Sequence, residues 1–441
     1  MKERRENNME LREFIDYLDK RGQLKKIKKN VSSDCEIANI LYKLDGKPVL
    51  FEKVDNQDIN VVSGLCSSPK LIAESLNIAE DKIVQKMIDA IDKPKEPKII
   101  EKALCQEVEI SDVDLFKFPF LFHKKEDGGR YLTCGVCIIK DKDNGVNMCI
   151  HRLMVVGKNK LVGRIIEERG TDLALKKNKN LEIAVCIGNS VSVLLAAATS
   201  IAKDKSELGM ANALEYTPLV KCKTIDLEVP ADCEIVLEGE FTGEYVDEGP
   251  FLDLTETYDI VRRQPVIKIK HITTRKNPVY QALLPGKSEH KLLMGMPREP
   301  TIFKEVNKVC KCLDVCITPG GCSWLHAVVK IEKKNKDDAV KAIDACFIGH
   351  KSLKHCIIVD EDINIRNPAS VESAIATRFQ ADKDLYIFKN QKGSSLDLSS
   401  DLSSGKARTT KAGIDATIPA GVDKSKFKKE GYPDVDLKKY L

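Results

Sequence analysis

Two short segments of the sequence place acidic and basic side chains inside otherwise apolar runs. Glu248 and Asp253 lie five residues apart in the segment EGPFLD. Residues five apart on a plain strand face opposite sides, so only a turn at the Gly-Pro pair can bring both carboxylates into one pocket. Such a pocket would suit acid–base chemistry. On the pattern alone, an ordinary acidic loop remains the simpler interpretation.

A second segment, NMCIHR, carries Asn147 and Arg152 with the same spacing of five on one predicted strand. A guanidinium buried without a partner costs several kcal/mol, so Arg152 needs a carboxylate from the protein or from a substrate. Arg164 and Arg169 raise the same question in the next strand and turn. Glu207 opens the helix-like segment SELGMANAL, where an acid that caps the helix is also common.

The fifteen cysteines offer two further candidate sites. Cys134 and Cys137 form a C-x-x-C pair, but period-2 alternation predicts a strand on which the two thiols face opposite sides. The segment Cys310–Cys322 has the spacing C-x-C-x3-C-x5-C, which matches neither the zinc-ribbon nor the ferredoxin pattern. Buried structural thiols are therefore the favoured interpretation. A redox protein that binds a metal or a cluster at Cys310–Cys322 is the alternative from another class.

The elements that must position these residues follow from hydrophobic periodicity. A β-rich middle region with inserted helices is predicted from Tyr131 to about Leu284, and strands alternate with helices from Glu289 onward. The N-terminal region has a mixed pattern, ending near a Lys/Pro-rich joint. Its predicted elements are a helix over Met9–Arg21 closed by Gly22, strands at Pro48–Phe51 and Asn60–Ser63, helices at Pro69–Leu76 and Glu80–Ile91, and the joint Asp92–Lys98.

Composition excludes several classes of protein. The chain has 441 residues, a formal net charge of +4 and 42% hydrophobic residues, which argues against a nucleic-acid binder and a disordered chain. The longest apolar stretch, Val191–Ala202, has about half the length that a membrane-spanning helix needs. The charged N-terminus lacks the apolar part of a signal peptide. We therefore expect a cytoplasmic protein that has neither a nucleic acid nor a membrane as partner.

Taken together, several segments resemble the UbiD family of decarboxylases, which use prenylated FMN (prFMN) with a divalent metal, usually manganese, and often potassium. The likeness extends over nearly the whole chain, and the conjunction of motifs is specific although each motif alone is weak. Besides NMCIHR, SELGMANAL and EGPFLD, the motifs are DGGRY (Asp127–Tyr131), RIIEERG (Arg164–Gly170), EVPADCEIVLEGE (Glu228–Glu240), ITTRKNPVYQALLPG (Ile272–Gly286), VDEDINI (Val359–Ile365) and GIDAT (Gly413–Thr417).

The resemblance implies a role for each candidate residue. Asn147 and Glu207 would bind Mn2+ next to the flavin phosphate, and both supply the oxygen ligands that a hard cation prefers. Arg152 would anchor the substrate carboxylate, Asp253 would donate a proton and Glu248 would hold Arg152. The residues implied to contact the flavin are Ile150, His151 and Arg152; Arg164, Ile165 and Ile166; and Arg169 with Gly170.

The sequence departs from the family pattern at two positions. Some members place a metal-ligating His near position 170, where this chain has Arg169 and Gly170. The protein ligands of the metal would then be Asn147 and Glu207, completed by phosphate and water. The proton-donating acid is Asp253 where some relatives have Glu, so the carboxyl group that donates the proton stands on a shorter side chain.

The fold implied by the resemblance is α/β (α+β) with three domains. These are an N-terminal α/β domain at 1–112, a split β-barrel that binds prFMN at 113–300, and a C-terminal α/β domain with a tail at 301–441. The C-terminal domain would support a homodimer or a higher homo-oligomer. A flavin prenyltransferase would supply the cofactor.

The segment LPGKSEHKLLMGMP (Leu284–Pro297) is most similar to archaeal members that convert trans-anhydromevalonate 5-phosphate to isopentenyl phosphate and CO2. The expected small-molecule substrate is therefore that phosphorylated α,β-unsaturated acid. An aromatic acid such as 3-polyprenyl-4-hydroxybenzoate is the alternative. A substrate phosphate needs cationic contacts, and the candidates are Lys287, His290, Lys291 and Arg298.

Overall fold

A computed structural model of the chain describes residues 9–57, 59–202, 204–403, 407–428, 430–432, 434–436 and 439–440. Contacts divide the described residues into two compact units. The first unit runs to Thr301 and includes Pro319–Trp324, and the second comprises Ile302–Thr318 and the chain from Leu325 onward. The three-domain division of the chain stays a prediction.

The first unit mixes helices and strands. Its helices are α1 (Leu11–Lys20), α2 (Glu36–Lys43), α3 (Pro69–Ser75), α4 (Ile83–Asp92), α5 (Gly170–Lys177), α6 (Val191–Ala198), α7 (Glu207–Leu214) and α8 (Ser288–Gly295). Its strands are β1 (Lys25–Ile27), β2 (Val49–Phe51), β3 (Asn60–Ser63), β4 (Ile99–Ile100), β5 (Val108–Ile110), β6 (Tyr131–Leu132), β7 (Val136–Asp141), β8 (Gly145–Ile150), β9 (Leu153–Gly157), β10 (Lys160–Gly163), β11 (Glu182–Ile187), β12 (Leu219–Lys221), β13 (Glu228–Pro230), β14 (Ile235–Glu248), β15 (Phe251–Leu252), β16 (Tyr258–Asp259), β17 (Arg262–Thr274) and β18 (Val279–Gln281).

A large antiparallel sheet forms the centre of the first unit. Its strands follow the order β6-β9-β10-β17-β14-β11-β7-β8, and β5 also pairs with β17. The end strands β6 and β8 do not pair with each other within the described part of the chain, so this sheet is not closed into a barrel. Smaller sheets have the orders β1-β2-β3-β18, β13-β12-β4 and β15-β16.

The central sheet is covered on both faces, as β11 illustrates. Ile183, Val185 and Ile187 pack into one hydrophobic cluster, whereas Ala184 and Cys186 pack into another. Side chains alternate between the two faces of a strand, so a continuous apolar run is stable only where both faces are buried. The segment LEIAVCIG therefore forms an interior strand.

The second unit is an α/β sandwich, as expected. Its elements are α9 (Glu299–Asn307, which begins in the first unit), β19 (Lys311–Ile317), β20 (His326–Glu332), α10 (Asp338–Gly349), β21 (His355–Val359), α11 (Pro368–Arg378), β22 (Leu385–Lys392) and β23 (Arg408–Asp415). The sheet has the order β19-β20-β21-β23-β22, in which β20, β21 and β23 are parallel. The predicted α/β class is thus confirmed for the chain.

Several strand predictions need correction. The segment NMCIHR is not one strand, because β8 ends at Ile150 and β9 begins at Leu153, so Arg152 lies in the break between them. The run YLTCGVCIIK is likewise divided into β6 and β7. Apolar alternation continues across both breaks, and alternation alone cannot locate a break where tertiary hydrogen bonds end a strand.

Among the described residues no helix has the length and apolar character needed to cross a membrane.

Candidate active site

The long β14–β17 pair positions most of the acidic residues of the candidate site. Glu248 is the last residue of β14 and pairs with Arg262 at the start of β17. The chain between them forms the short β15–β16 hairpin, in which Phe251 lies opposite Asp259. Asp253 follows β15 directly. This arrangement turns the EGPFLD segment back towards the end of β14, so the predicted turn is confirmed.

The Arg152 guanidinium joins these acids. Its Nε and Nη2 atoms donate to Oε1 and Oε2 of Glu248, each at 2.9 Å. Nη1 donates to Asp253 Oδ2 at 2.7 Å, and Nη2 donates to Asp259 Oδ2 at 2.9 Å. These four hydrogen bonds leave only one N–H group, on Nη1, without an acceptor among the residues described. The Nε–Nη2 edge of Arg152 is therefore occupied by Glu248 and is not open to a substrate carboxylate.

Burial differs among the three acids. The side chain of Glu248 is fully buried, whereas those of Asp253 and Asp259 are 22% and 20% exposed. Burial raises the pKa of Asp259, but hydrogen bonds from Arg262 and the charge of Arg152 outweigh it and lower that pKa below its ordinary value. Burial also acts against the charge of Arg152, yet hydrogen bonding to Glu248 raises its pKa further. The charged forms of Arg152 and Asp259 thus stabilise each other.

Two aromatic rings line the ion cluster. The Tyr131 hydroxyl donates to Glu248 Oε1 at 3.0 Å, and the Phe251 ring lies 4.4 Å from the Tyr131 ring. The Arg152 guanidinium lies 4.8 Å from the centre of the Phe251 ring, a distance at which a cation is attracted to the ring face. Apolar walls of this kind strengthen the charged hydrogen bonds by excluding water.

The DGGRY segment packs directly on the EGPFLD turn. Gly128 N donates to Pro250 O at 2.8 Å. A Cβ at Gly128 would lie 2.2 Å from the carbonyl oxygen of Gly249, so only glycine permits this backbone approach. The motif therefore fixes the turn that carries the two acids.

The three stretches implied to contact the flavin lie together in the first unit. Arg164 N donates to Arg152 O at 3.1 Å, which joins the first two stretches. His151 Nε2 lies 3.0 Å from the Thr171 hydroxyl on α5, which joins the first to the third. Burial, and then the charge of Arg164, lower the pKa of His151 to about 4. His151 is therefore neutral at pH 7.

The remaining members of these stretches differ in burial. Ile165 is buried, and its N–H donates to Gln264 Oε1 at 2.7 Å. Ile150 is half-buried at the end of β8, whereas Ile166, Arg169 and Gly170 are exposed. The stretches thus include both buried and accessible groups.

The two implied metal ligands are also close together. Glu207 Oε2 accepts a hydrogen bond from Met148 N, next to Asn147, at 3.4 Å. A Cβ at Gly170 would lie 2.5 Å from Asn147 Oδ1. Burial raises the pKa of Glu207 to about 7, and no cation pairs with it within the described ranges. A desolvated carboxylate beside an amide oxygen fits a hard cation, although no three His, Cys, Asp or Glu residues converge on a metal position there or elsewhere in the described chain.

The structure separates the four candidate phosphate ligands. Lys287 and Lys291 both donate to Glu256, each at 2.5 Å, so one carboxylate partly neutralises them. His290 accepts a hydrogen bond from Gly286 N at 3.0 Å. Arg298 has no acidic partner among the described residues and lies elsewhere, at the end of α6, where it donates to Ser200 Oγ at 2.6 Å.

The cysteine segments contribute no comparable site. Cys137 lies on β7, whereas Cys134 lies in the break before that strand, so the prediction of one strand carrying both thiols is wrong. The two cysteines are nevertheless buried in different hydrophobic clusters. Within the segment Cys310–Cys322, no set of three thiols converges on a metal position in the part of the chain that the structure describes. Cys312 and Cys316 are buried on β19.

Asp259 and Tyr131 belong to the ion cluster but were not predicted as functional. The contacts of Arg152 with Asp259 and of Tyr131 with Glu248 span 107 and 117 residues, and spacing along a sequence carries no information about such pairs. A hairpin signal could have indicated Asp259, since Leu252 and Tyr258 form an apolar–aromatic pair across the turn residues that follow Leu252.

Comparison with protein-family models assigns almost the whole chain. Models described as the 3-octaprenyl-4-hydroxybenzoate carboxy-lyase N-terminal, Rift-related and C-terminal domains match residues 15–91, 98–288 and 291–416. The chain belongs to the UbiD family. The resemblance drawn from its motifs is therefore confirmed, and as a UbiD-family protein it is a carboxy-lyase by membership.

Curated relatives of this UbiD-family chain match it over most of their length. The anhydromevalonate phosphate decarboxylase of Methanocaldococcus jannaschii is 42% identical over 90% of this chain and 95% of that protein. The protein of the same name from Methanothermobacter thermautotrophicus is 40% identical over 93% of this chain and 97% of that protein.

Among solved structures, the UbiD-class enzyme HmfF from Pelotomaculum thermopropionicum in complex with FMN is 36% identical and superposes with a TM-score of 0.93. The match covers 98% of this chain and all of that one. An evolved dimeric form of HmfF in complex with prFMN superposes with a TM-score of 0.89 at 35% identity.

Proposed function

We propose that this protein uses prenylated FMN to decarboxylate trans-anhydromevalonate 5-phosphate, giving isopentenyl phosphate and CO2 in a mevalonate route to isoprenoids. The observation that carries the proposal is the Arg152 cluster, in which one guanidinium holds both acids of the EGPFLD turn. The choice of substrate is supported by relatives at 40% and 42% identity that bear the corresponding name. The choice of cofactor is supported by HmfF, which was solved with FMN and with prFMN.

In this proposal Arg152, Glu248 and Asp253 are the catalytic residues. Glu248 is fully buried and accepts hydrogen bonds on both oxygens, so it suits a fixed partner of Arg152 better than a proton donor. Asp253 is held by Arg152 but remains partly exposed. A substrate carboxylate would compete with Asp253 for Nη1 of Arg152. Asp253, once displaced, would take a proton from water, deliver it to the carbon that loses CO2 and return to its ionised form.

The cofactor would be held by the three stretches that lie together beside Arg152. They comprise Ile150, His151 and Arg152; Arg164, Ile165 and Ile166; and Arg169 with Gly170. When bound, prFMN supplies the electron sink for the carbanion that loss of CO2 creates. The neutral ring of His151 would fit against the flavin without adding charge, and Arg164 would add a cation near its polar edge.

Asn147 and Glu207 would hold Mn2+, and K+ is a second ion that we expect near the cofactor phosphate. We expect Asn147→Ala and Glu207→Gln to lose manganese and to weaken flavin retention together, because the metal would link the phosphate to the protein. Metal analysis and flavin absorbance of the purified variants would measure both. Full metal and flavin content in either variant would contradict its assignment as a ligand.

We further propose that a flavin prenyltransferase supplies the cofactor and that the protein works in the cytoplasm as a homo-oligomer. The test of the function therefore uses protein co-expressed with a prenyltransferase. Such protein should release CO2 from trans-anhydromevalonate 5-phosphate in D2O, place one deuterium in the product and ignore the unphosphorylated acid. Preference for a 4-hydroxybenzoate derivative would overturn the substrate, and no decarboxylation of either acid would overturn the reaction.

A further inference from the structure

Arg298 is a half-buried arginine that forms no ion pair with an acid in the described chain. Its Nη1 donates to Ser200 Oγ at 2.6 Å and its Nη2 donates to Ala198 O at 3.1 Å. Its Nε is buried and has no hydrogen-bond acceptor in the described part of the chain. The centre of the Trp324 ring lies 5.2 Å from Arg298 Cζ, a distance at which the ring face attracts a cation. Three of the five N–H groups, one each on Nε, Nη1 and Nη2, therefore have no acceptor in that part of the chain.

Arg298 lies where α6 ends, and α6 packs against β8 and α7, which carry Asn147 and Glu207. A second arginine, Arg169, begins α5 next to Gly170, which approaches Asn147. Burial, and then the charge of Arg169, lower the pKa of Arg298 to about 10. Neither arginine forms an ion pair with an acid among the described residues. Two like charges brought together without a counterion cost free energy. An arrangement of this kind is stable when an anion joins it.

The chemistry of the two side chains identifies the class of anion. A guanidinium offers parallel N–H donors that match two oxygens of a phosphate, and arginine predominates where such planar recognition is needed. Arg169 also begins α5 as its N-cap residue, next to Gly170, whose backbone approaches Asn147. The pair therefore lies beside the residues proposed to hold the metal and the flavin.

We propose that Arg298, together with Arg169, binds a phosphate monoester. The inference rests on the proposed function in one respect, since that reaction supplies the two possible sources, the phosphate of the flavin and the 5-phosphate of the substrate. Both present the same dianion to the guanidinium groups. Lys287 and Lys291, which share Glu256, are then not the main phosphate ligands.

Paired ligands with and without phosphate test the site. Affinities of wild type and of Arg298→Gln would be measured for FMN against riboflavin. The flavin-loaded proteins would then be titrated with the phosphorylated substrate and with its unphosphorylated acid. Arg298→Gln should weaken one phosphorylated ligand at least about tenfold, or ~1.4 kcal/mol, and leave its unphosphorylated counterpart within about twofold. A loss of affinity for FMN would show that Arg298 binds the flavin phosphate. A loss of affinity for the substrate would show that it binds the 5-phosphate.

The controls separate recognition from folding. Arg298→Lys keeps the positive charge but loses the parallel N–H donors of the guanidinium. Its affinity for the phosphorylated ligand should therefore lie between those of wild type and Arg298→Gln. Arg263→Gln, at an arginine that is 66% exposed on β17, should leave the affinities for all four ligands unchanged. Equal losses for phosphorylated and unphosphorylated ligands, or no loss for either pair, would overturn the inference. Wild-type protein that binds no FMN would overturn the proposed function as well.

Discussion

At the residue scale, the candidate site consists of the Arg152 guanidinium and three carboxylates that pair with it. The carboxylates differ in their exposure to water. Glu248 receives hydrogen bonds from Arg152 and Tyr131 and has no exposed surface. Asp259 is shared between Arg152 and Arg262. Among the described residues, Asp253 forms an ion pair only with Arg152, and its side chain is 22% exposed. Asp253 can therefore be displaced from Arg152 with the loss of a single ion pair, and it is the acid assigned to proton transfer.

Replacing the two acids of the turn should have different consequences. Asp253→Asn should lower kcat by about 10²- to 10⁴-fold and leave the melting temperature nearly unchanged, because the amide keeps the shape but cannot donate the proton. Glu248→Gln should lower the melting temperature as well, since removing one partner of a buried pair costs about 3–5 kcal/mol. Kinetics and thermal unfolding of both variants would measure this. Full activity of Asp253→Asn would assign the proton donor to Glu248.

Asp259 should make the stability of the fold depend on pH. Its folded-state pKa is lower than the ordinary value of 3.8, so its ion pairs stabilise the protein fully above that value. The contribution is lost as the pH falls through the lower, folded-state pKa. The difference in unfolding free energy between wild type and Asp259→Asn should therefore be constant from pH 5 to 7 (about the range of maximal stability) and shrink under acid. A difference that grows under acid would contradict this prediction.

At the scale of elements, the position of the acids depends on one backbone contact. The DGGRY segment meets the EGPFLD turn at Gly128, where no side chain fits. The turn is thus held by a neighbouring segment and by the β15–β16 hairpin, and not by the long strands alone. Any shift of this contact would move Asp253 relative to Arg152.

Gly128→Ala should therefore destabilise the protein by about 1–3 kcal/mol and reduce activity more than stability. Gly157→Ala is a matched control, because a Cβ there would meet only Lys160 Cβ at 3.7 Å. Denaturant unfolding and decarboxylation rates of the two variants would test the contact. Equal behaviour of the two alanine variants would show that the turn tolerates a side chain at position 128.

The elements also show how far the sequence could predict the structure. The helix predicted over Met9–Arg21 forms at Leu11–Lys20, and Gly22 has the left-handed backbone (φ +67°) expected of a residue closing a helix. Its apolar spacing is a local signal. The break that places Arg152 outside β8 has no local signal, because both sides read as strand. The turn at EGPFLD was predictable from Gly-Pro, whereas the partners of Arg152 depend on tertiary pairing.

At the scale of the whole molecule, β22 is an edge strand of the second unit with apolar side chains on its open face. Ile387 and Leu385 are 57% and 37% exposed, while Tyr386 and Phe388 pack against the core of that unit. An edge strand with unpaired backbone groups and exposed apolar residues is prone to pair with another chain. A second copy of this chain is the partner that the expected homo-oligomer would supply.

We therefore expect Ile387→Lys to reduce the mass of the assembly, because a charge at the edge opposes pairing. Light scattering at fixed protein concentration would measure the mass. Tyr245→Lys, at a residue that is 50% exposed on β14, is the control and should leave the mass unchanged. An unchanged mass for Ile387→Lys would place the contact between subunits elsewhere.

Because cysteines are buried in both units, their reactivity can be used to measure local unfolding of each unit. The fifteen cysteines all lie in the described residues and form no disulfide bond with one another, and burial raises the pKa of Cys134 in the first unit and of Cys346 in the second. Alkylating reagents attack the thiolate, so each such cysteine reacts only when its surroundings open to solvent. Peptide-resolved labelling rates would give a separate opening free energy for each unit. Adding flavin should slow the labelling of the unit to which it binds, before any turnover is measured.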